Sequence, residues 1–418
     1  MSPDATHRTI DGVWPIESAR IIATVARMVR DIGVAEELAQ DALVAALQQW
    51  PRDGIPDNPA AWLTATAKHR ALDWLRRSRL IAEKHEEIAH EIEAIGEPLA
   101  PDPSEVQDDD IGDDLLRLIF TACHPLLSRE ARVALTLRVV GGLTTDEIAR
   151  AFLVAEPTIA QRIVRAKRTL TDAKVPFEIP RADELAPRLA SVLEVIYLVF
   201  NEGYAATAGD DWMRPTLCAE ALRLGRILAE LTPGESEVHG LVALMEIQAS
   251  RSAARVDRTG TPILLLAQDR SRWDQLLIRR GLAALQRAEA LGGALDNYAL
   301  QAAIAACHAR AREAKDTDWS RIATLYGELA QVVPSPVVEL NRAVAIAMAF
   351  GAAPALQLVD GLMTDPAMRD YHLLPTVRGD LLEKLGRKEE AHHEFERAAT
   401  LTRNTREREL LLARAAAC

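Results

Sequence analysis

Thr158, Gln161, Arg162, Arg165 and Arg168 recur at three- and four-residue spacing, so one side of a single helix presents three guanidinium groups, an amide and a hydroxyl. No acid shares that side. Cations so arranged neutralise phosphates, and an arginine fork reads a base edge by two parallel hydrogen bonds. A second concentration lies upstream, where Trp62 and Trp74 alternate with Lys68, Arg70, Arg76, Arg77 and Arg79. Rings stack on unpaired bases while cations hold the backbone, which suits a single strand. The plainer readings are a solvated basic helix face for the first set, and core tryptophans beside solvated arginines for the second.

Elements that position the first set are legible around it. Thr144 and Glu147 form a capping box, and Ile148, Ala149 and Phe152 supply one apolar stripe of a two-turn helix. Leu153 and Val154 make a turn. The next helix starts near Glu156, tolerates Pro157 in its first turn, and buries Ile159, Ile163, Ala166 and Leu170 by about Leu170. Helix, tight turn and basic second helix make a helix-turn-helix, whose second helix lies in the DNA major groove. The second set sits on a helix from Ala60 to about Arg79, after helices Ile16–Val29 and Val34–Trp50 that break at Asp31-Ile-Gly33. Between them runs the loop Trp50 to Pro59. Two further helices, from Asp113 to Arg138, lead through Gly141-Gly142 into the helix-turn-helix.

The net charge of −12 looks wrong for a partner of nucleic acid until it is located. Between Glu83 and Asp114 stand thirteen acids and one base, Lys84, so the rest of the chain is balanced. This segment, broken by Pro98, Pro101 and Pro103 and ending in Asp108-Asp-Asp110, reads as a solvated linker. At 418 residues, 49% hydrophobic and 26% charged, the chain has the composition of a soluble protein of two or three domains. Neither a bilayer-length apolar run nor a signal-peptide pattern occurs, so no membrane partner and a cytoplasmic location are expected.

No site chemistry of an enzyme is expected. Phosphate loops, dinucleotide fingerprints, nucleophile elbows and metal-ligand spacings are all missing from the sequence, which predicts no catalytic residue, no metal and no cofactor. Cys123, Cys218, Cys307 and Cys418 are too scattered for a disulfide framework and read as buried thiols. His85 and His90 are five apart and diverge on a helix, and His392-His393 reads as a solvent-facing pair.

From about Trp14 to Asp172 the chain resembles the extracytoplasmic-function RNA polymerase sigma factors. The likeness rests on Ala35-Glu-Glu-Leu-Ala-Gln-Asp41 leading to Trp50, Ala61-Trp-Leu63 through Leu72-Asp-Trp-Leu-Arg-Arg77, and Thr144 to Leu170, in that order. It implies an all-α fold of two small helical sigma domains, the second with the helix-turn-helix, and partners in core RNA polymerase and promoter DNA. Residues 10–80 match region 2, with Glu37, Gln40 and Asp41 on the polymerase-binding helix and Trp50 to Pro59 as the loop that captures a flipped base. Lys68, Arg70, Trp74, Arg76 and Arg77 match the strand-binding helix at the −10 element. Residues 81–112 match the linker that threads toward the polymerase active centre, and 113–175 match region 4. There Thr158, Gln161, Arg162, Arg165, Lys167 and Arg168 fall on the helix for the −35 element. Ala155 departs from the serine expected as its cap, and Pro157 from a more permissive residue.

Residues 181–418 have no place in a minimal sigma factor. They read as helices throughout, and the helices ending at Gly351 and Gly386, each followed by a second helix, repeat with a period near 34. Tyr326 and Phe395 occupy second helices two periods apart. The pattern points to tetratricopeptide-like helix pairs, and one sigma subgroup carries such an extension. A protein or small-molecule ligand of the repeats is the further partner expected, with the extension controlling sigma activity. Gln268-Asp-Arg-Ser-Arg-Trp-Asp274 reads as a buried salt-bridge network ahead of a ligand contact, and Gly203 in Asn201-Glu-Gly-Tyr204 as a helix C-cap. The alternative to a polymerase subunit is a regulator with a helix-turn-helix and a repeat sensor, which leaves the first three helices without a use.

Overall fold

Apolar residues at helical spacing along nearly the whole chain leave little choice of architecture, and the computed structural model is all-helical apart from two short strands among the described residues. It describes residues 3–89, 110–152, 154–206, 208–209, 211–258 and 260–418. Most of the acidic segment, with His90 and the turn residue Leu153, lies outside them. Two units divide the chain, Met1–Val195 and Ile196–Cys418.

In the first unit α1 (Pro3–Val29), α2 (Ile32–Asp53) and α3 (Pro59–Ala89) pack on one another. Their core holds Ile21, Ile22, Val25, Leu38, Trp50 and Leu63. Several boundaries differ from the sequence reading, including the end of α3, which runs past Arg79 to Ala89. α1 begins well before Ile16 and runs through Pro15, because Thr6 and Ile10 are buried and that burial outweighs one missing backbone hydrogen bond. The break between α1 and α2 is confined to Arg30 and Asp31, with Gly33 inside α2, because the Asp31 carboxylate caps the helix by accepting from Val34 N at 2.9 Å. α2 likewise carries Trp50 and Pro51 on to Asp53, so the loop to α3 shortens to residues 54–58.

Next come α4 (Asp110–Ala122), α5 (Arg129–Val139), α6 (Thr145–Phe152) and α7 (Glu156–Asp172) around Leu118, Phe120, Leu135, Leu137, Ile148 and Ile159. The start of α8 (Ala182–Tyr204) belongs to this unit as well. Arg188 Nη2 donates to Phe120 O at 2.9 Å, Ser191 Oγ donates to Cys123 O at 2.6 Å, and Glu194 takes ion pairs from Arg129 and Arg132. Cys123 beneath this contact is buried, and desolvation pushes its thiol up to about 11.

The second unit continues with α9 (Pro215–Leu231), α10 (Ser236–Ala249), α11 (Gln275–Ala290), α12 (Asn297–Arg310) and α13 (Trp319–Val332). It ends with α14 (Pro336–Phe350), α15 (Ala352–Leu362), α16 (Leu373–Lys384), α17 (Lys388–Leu401) and α18 (Thr405–Ala417). Gly351 and Gly386 take φ of 100° and 77°, a conformation that explains glycine at both helix ends. Phe395, Leu381, Leu340 and Leu411 anchor the last pairs, and Leu300, Ile322, Leu325 and Leu329 the pair before them. β1 (Ala208–Gly209) pairs in parallel with β2 (Arg403–Asn404), and the Asn404 side-chain amide donates to Ala206 O at 3.1 Å and Asp211 O at 2.9 Å.

Three sequence readings of this unit are corrected. Gly203 lies inside α8 rather than after it, and a Cβ there would stand 2.5 Å from Cys218 N, so close helix approach demands glycine. His392 is half-buried rather than solvent-facing, with Nδ1 2.8 Å from Ala415 O, because α18 covers it. The stretch Gln268 to Asp274 forms no salt-bridge network among the described residues. Arg270, 9% exposed, donates to His308 O and Ala311 O at 2.8 Å each and to Thr317 Oγ1 at 2.9 Å, while Asp269 caps the single turn Arg270–Arg272 and Asp274 caps α11. Arg251, Arg255 and Arg270 find ring faces instead of carboxylates: Arg255 lies 3.5 Å from the Tyr204 centroid, and Arg270 lies 5.0 Å from that of Trp273.

His308 sits in this cluster, edge-on to Trp319, and burial followed by the charges of Arg251 and Arg270 lowers its pKa from 6.5 to about 3. It is therefore neutral when folded, and on acidification the unfolded chain takes the proton first. Stability held above pH 6.5 is lost progressively as pH falls to about 3, a difference on the order of 4 kcal/mol across the window. His308→Gln should flatten the acid limb of the denaturation midpoint of the second unit relative to the parent chain. Parallel pH profiles for the two would refute the buried neutral imidazole.

Candidate nucleic-acid interface

The capping box is reciprocal. Thr144 N donates to Glu147 Oε2 at 2.8 Å and Glu147 N donates to Thr144 Oγ1 at 3.2 Å, fixing the start of α6. α7 starts at Ala155 with no side-chain cap and with Pro157 in its first turn. Ile159, Ile163, Ala166 and Leu170 are buried beneath it. That stripe sets the rotation of the helix, which leaves Thr158, Gln161, Arg165 and Arg168 exposed and Arg162 half-exposed near Glu130. Arg168 spends part of its charge on Asp172 at 3.3 Å, in a pair that is exposed and weak.

Lys167 departs from the others. It points to the opposite flank of α7 and forms an ion pair with Glu36 of α2. Glu36 is 4% exposed, and its other oxygen accepts from Arg138 Nε of α5 at 2.6 Å and from Gln40 Nε2 at 2.7 Å. Lys167 and Gln40, expected from the sequence at DNA and polymerase respectively, are thus both engaged on one buried carboxylate. Two more links run beside it. Asp31 Oδ2 accepts from Thr171 Oγ1 at 2.7 Å, and Asp114, 1% exposed, pairs with Arg27 Nε at 3.2 Å and Arg117 Nη1 at 2.6 Å. Glu36, Arg138, Arg27 and Asp114 were not singled out in the sequence. Glu36 had a signal, since it falls on the buried stripe Ile32, Ala35, Ala39, Ala42, where an acid needs a partner.

On the upstream helices Glu37 and Asp41 are exposed, and Asp41 pairs with Arg70 at 3.4 Å, joining two residues that the sequence had placed at different partners. Arg76 and Arg77 are exposed and contact Asp73, Lys68 is half-exposed, and Trp74 stays half-exposed beside them. Trp62 does not share that setting: it packs edge-on against buried Trp50 with centroids 5.4 Å apart.

A helix-turn-helix preceded by a three-helix domain with a tryptophan- and arginine-bearing helix defines a two-part promoter-recognition module of the sigma-70 type. The family models agree: Sigma-70 region 2 matches residues 17–81, Sigma-70 region 4 matches 117–170, and a family of unknown function, DUF6596, matches 188–289. An uncharacterized protein of Rhizobium meliloti is 43% identical over 382 residues, covering 91% of this chain and 89% of that one. The ECF RNA polymerase sigma factor SigK of Mycobacterium ulcerans is 30% identical over 155 residues, 36% of this chain and 78% of SigK. The probable ECF RNA polymerase sigma factor SigI of Mycobacterium tuberculosis is 26% identical over 178 residues, 42% of this chain and 59% of SigI. No solved structure matches the chain significantly. The chain belongs to the ECF RNA polymerase sigma factors and carries a C-terminal helical extension. Its function is to direct transcription initiation, and the family is not a class of enzymes. No helix among the described residues is long and apolar enough to cross a membrane.

Glu36 and Lys167 should be energetically coupled. In a double-mutant cycle of Glu36→Ala and Lys167→Ala, denaturant unfolding of the first unit is expected to show a coupling of about 0.5–3 kcal/mol, with Glu36→Ala the costlier single change because Arg138 also loses its carboxylate and keeps only Leu143 O. Strict additivity would show that the two residues are merely adjacent.

Proposed function

We propose that α7 reads the −35 element through Thr158, Gln161, Arg162, Arg165 and Arg168, and that α3 holds the opened −10 strand through Lys68, Arg70, Trp74, Arg76 and Arg77. Glu37 and Asp41 on α2 contact core RNA polymerase. Residues 10–80, 81–112, 113–175 and 181–418 then serve as region 2, linker, region 4 and extension. The observation that carries the reading is the exposure of the hydroxyl, amide and guanidinium face of α7 over its fully buried apolar stripe.

The seam at Glu36 adds a step. Elements named for positions −10 and −35 are about 25 base pairs apart, roughly 85 Å at 3.4 Å per base step. Regions bonded to one carboxylate cannot reach both, so the packed arrangement is a resting form that opens on the polymerase and frees Gln40 and Lys167. The alternative of a regulator acting without polymerase gives Glu37, Asp41 and the α3 face nothing to do. The test is in vitro transcription with core polymerase. Arg165→Ala and Arg162→Ala should each weaken promoter binding by about 1–3 kcal/mol where the contact is a bidentate base contact, with folding intact. Unchanged promoter binding by both variants would remove α7 from the interface.

Control by the extension is supported by the anchoring of α8, the helix that leads into it, on Phe120, Cys123, Arg129 and Arg132 of region 4. A ligand or protein bound by the helix pairs would act through that attachment. Loosening it with Ser191→Ala and Glu194→Gln together should change transcript yield from the cognate promoter at equal levels of folded protein. Identical yield would reduce the extension to a passenger.

A further inference from the structure

Beside the Glu36 seam lies a cavity of about 700 Å³ that neither promoter nor polymerase binding explains. Its walls come from both regions: α1 and α2 on one side, α4, α7 and the segment after α7 on the other. Five cations face it, namely Arg27, Arg30, Arg117, Lys167 and Lys174, against the acids Asp31 and Glu178. Three of the five are committed, Arg27 and Arg117 to Asp114 and Lys167 to Glu36. The Asp31 carboxylate is used by Val34 N and Thr171 Oγ1. Arg30 and Lys174 are exposed, and their side chains make no hydrogen bond or ion pair with any described residue.

These two cations share a second peculiarity. Arg30 has φ 56° and Lys174 has φ 50°, and they are the two non-glycine residues with positive φ among the described residues. Each follows a helix, α1 and α7, where glycine is the least strained choice. A helix C-terminus favours a cation by its dipole, but that does not explain why both ends turn toward one cavity. The rest of the wall is made by Thr121 and Thr171 together with the apolar Ile32, Leu170, Val175 and Pro176 and one ring, Phe177. A volume within the roughly 300–1,000 Å³ of small-molecule sites, an apolar patch and a few convergent charges describe a ligand pocket.

We infer that this pocket binds a nucleoside diphosphate or triphosphate, its phosphates between Arg30 and Lys174 and its base against Phe177. Arginine and lysine donors suit phosphate oxygens, and the Phe177 ring with Val175 beside it offers a base a stacking partner that an extended acidic peptide would not use. Because α1 and α7 both contribute, the ligand binds the packed arrangement and draws the equilibrium toward it. The effect on transcription rests on the resting-form reading given above; the binding itself does not.

The probes are guanosine diphosphate, adenosine diphosphate and inorganic pyrophosphate, titrated calorimetrically into the full chain at fixed salt. At least one nucleotide should bind with one-to-one stoichiometry and more tightly than pyrophosphate, and Lys174→Glu and Arg30→Glu should each weaken it by about tenfold or more. Arg30→Gly relieves the backbone and should raise thermal stability while still losing affinity, which separates lost charge from lost folding. Nucleotide affinity unchanged in all three variants, or pyrophosphate binding as tightly as the nucleotides, overturns the proposal. So does the absence of binding by either nucleotide. Nucleotide that binds as expected but leaves transcript yield unchanged upholds the site and instead refutes the resting form.

Discussion

A carboxylate almost without solvent holds the first unit in its form. Glu36 is wedged among Arg138, Lys167 and Gln40, and an acid so placed is tolerable only because cations reach it from two other helices. The arrangement makes the seam between regions conditional. Its energy is local and polar, so a competing surface that supplies counter-charges can dissolve it without disturbing the apolar cores on either side. Asp114 with Arg27 and Arg117 repeats the device on a neighbouring pair of helices. If the regions separate on the polymerase as proposed, such a seam serves better than an apolar one, whose exposure would cost free energy in proportion to area.

In the second unit burial of charge is solved differently. Arg270 ends on carbonyls left free at the end of α12, and Arg251 and Arg255 lie against Tyr204 and Trp273. Ring faces and carbonyls cost less to gather than carboxylates, since neither has to be stripped of a full charge's hydration. These contacts bring the Asn201–Tyr204 stretch, the segment after α10 and the start of α12's neighbour together, which fixes the irregular stretch 252–274 between two regular helix pairs.

Local features were legible in the sequence and long-range ones were not. The α6 capping box, the apolar stripe of α7, and the glycines ending α14 and α16 depend on residues within a turn or two of one another, and spacing alone exposes them. The exposed face of α7 follows from its buried one, so Thr158, Gln161, Arg165 and Arg168 could be found without coordinates. Lys167 could not, because its position one flank over matters only once α2 lies alongside. Glu36 was legible in principle as an acid within an apolar stripe, but the helices that bring its cations, α5 and α7, are about a hundred or more residues away. Pro15 misplaced the start of α1 because proline signals a boundary more strongly than Thr6 and Ile10 signal continuity. Gln268 to Asp274 misled through composition: alternating charges suggested mutual pairing, whereas Asp269 and Asp274 cap the turns beside them and Arg270 reaches two carbonyls and a hydroxyl some forty residues away.

The two-residue sheet in the second unit is small, yet it joins chain positions nearly two hundred residues apart, with Asn404 adding two hydrogen bonds to the backbone around the first strand. Stacks of helix pairs ordinarily fray from their ends, each pair depending on its nearest neighbour, so that stability adds up repeat by repeat. Bonding the last pair to the segment that follows the first helix removes one of those free ends. Loss of the terminal helix then withdraws support from the opposite end of the stack as well as from its neighbour, and the unit gains the all-or-none melting of a single globular core in place of progressive unzipping.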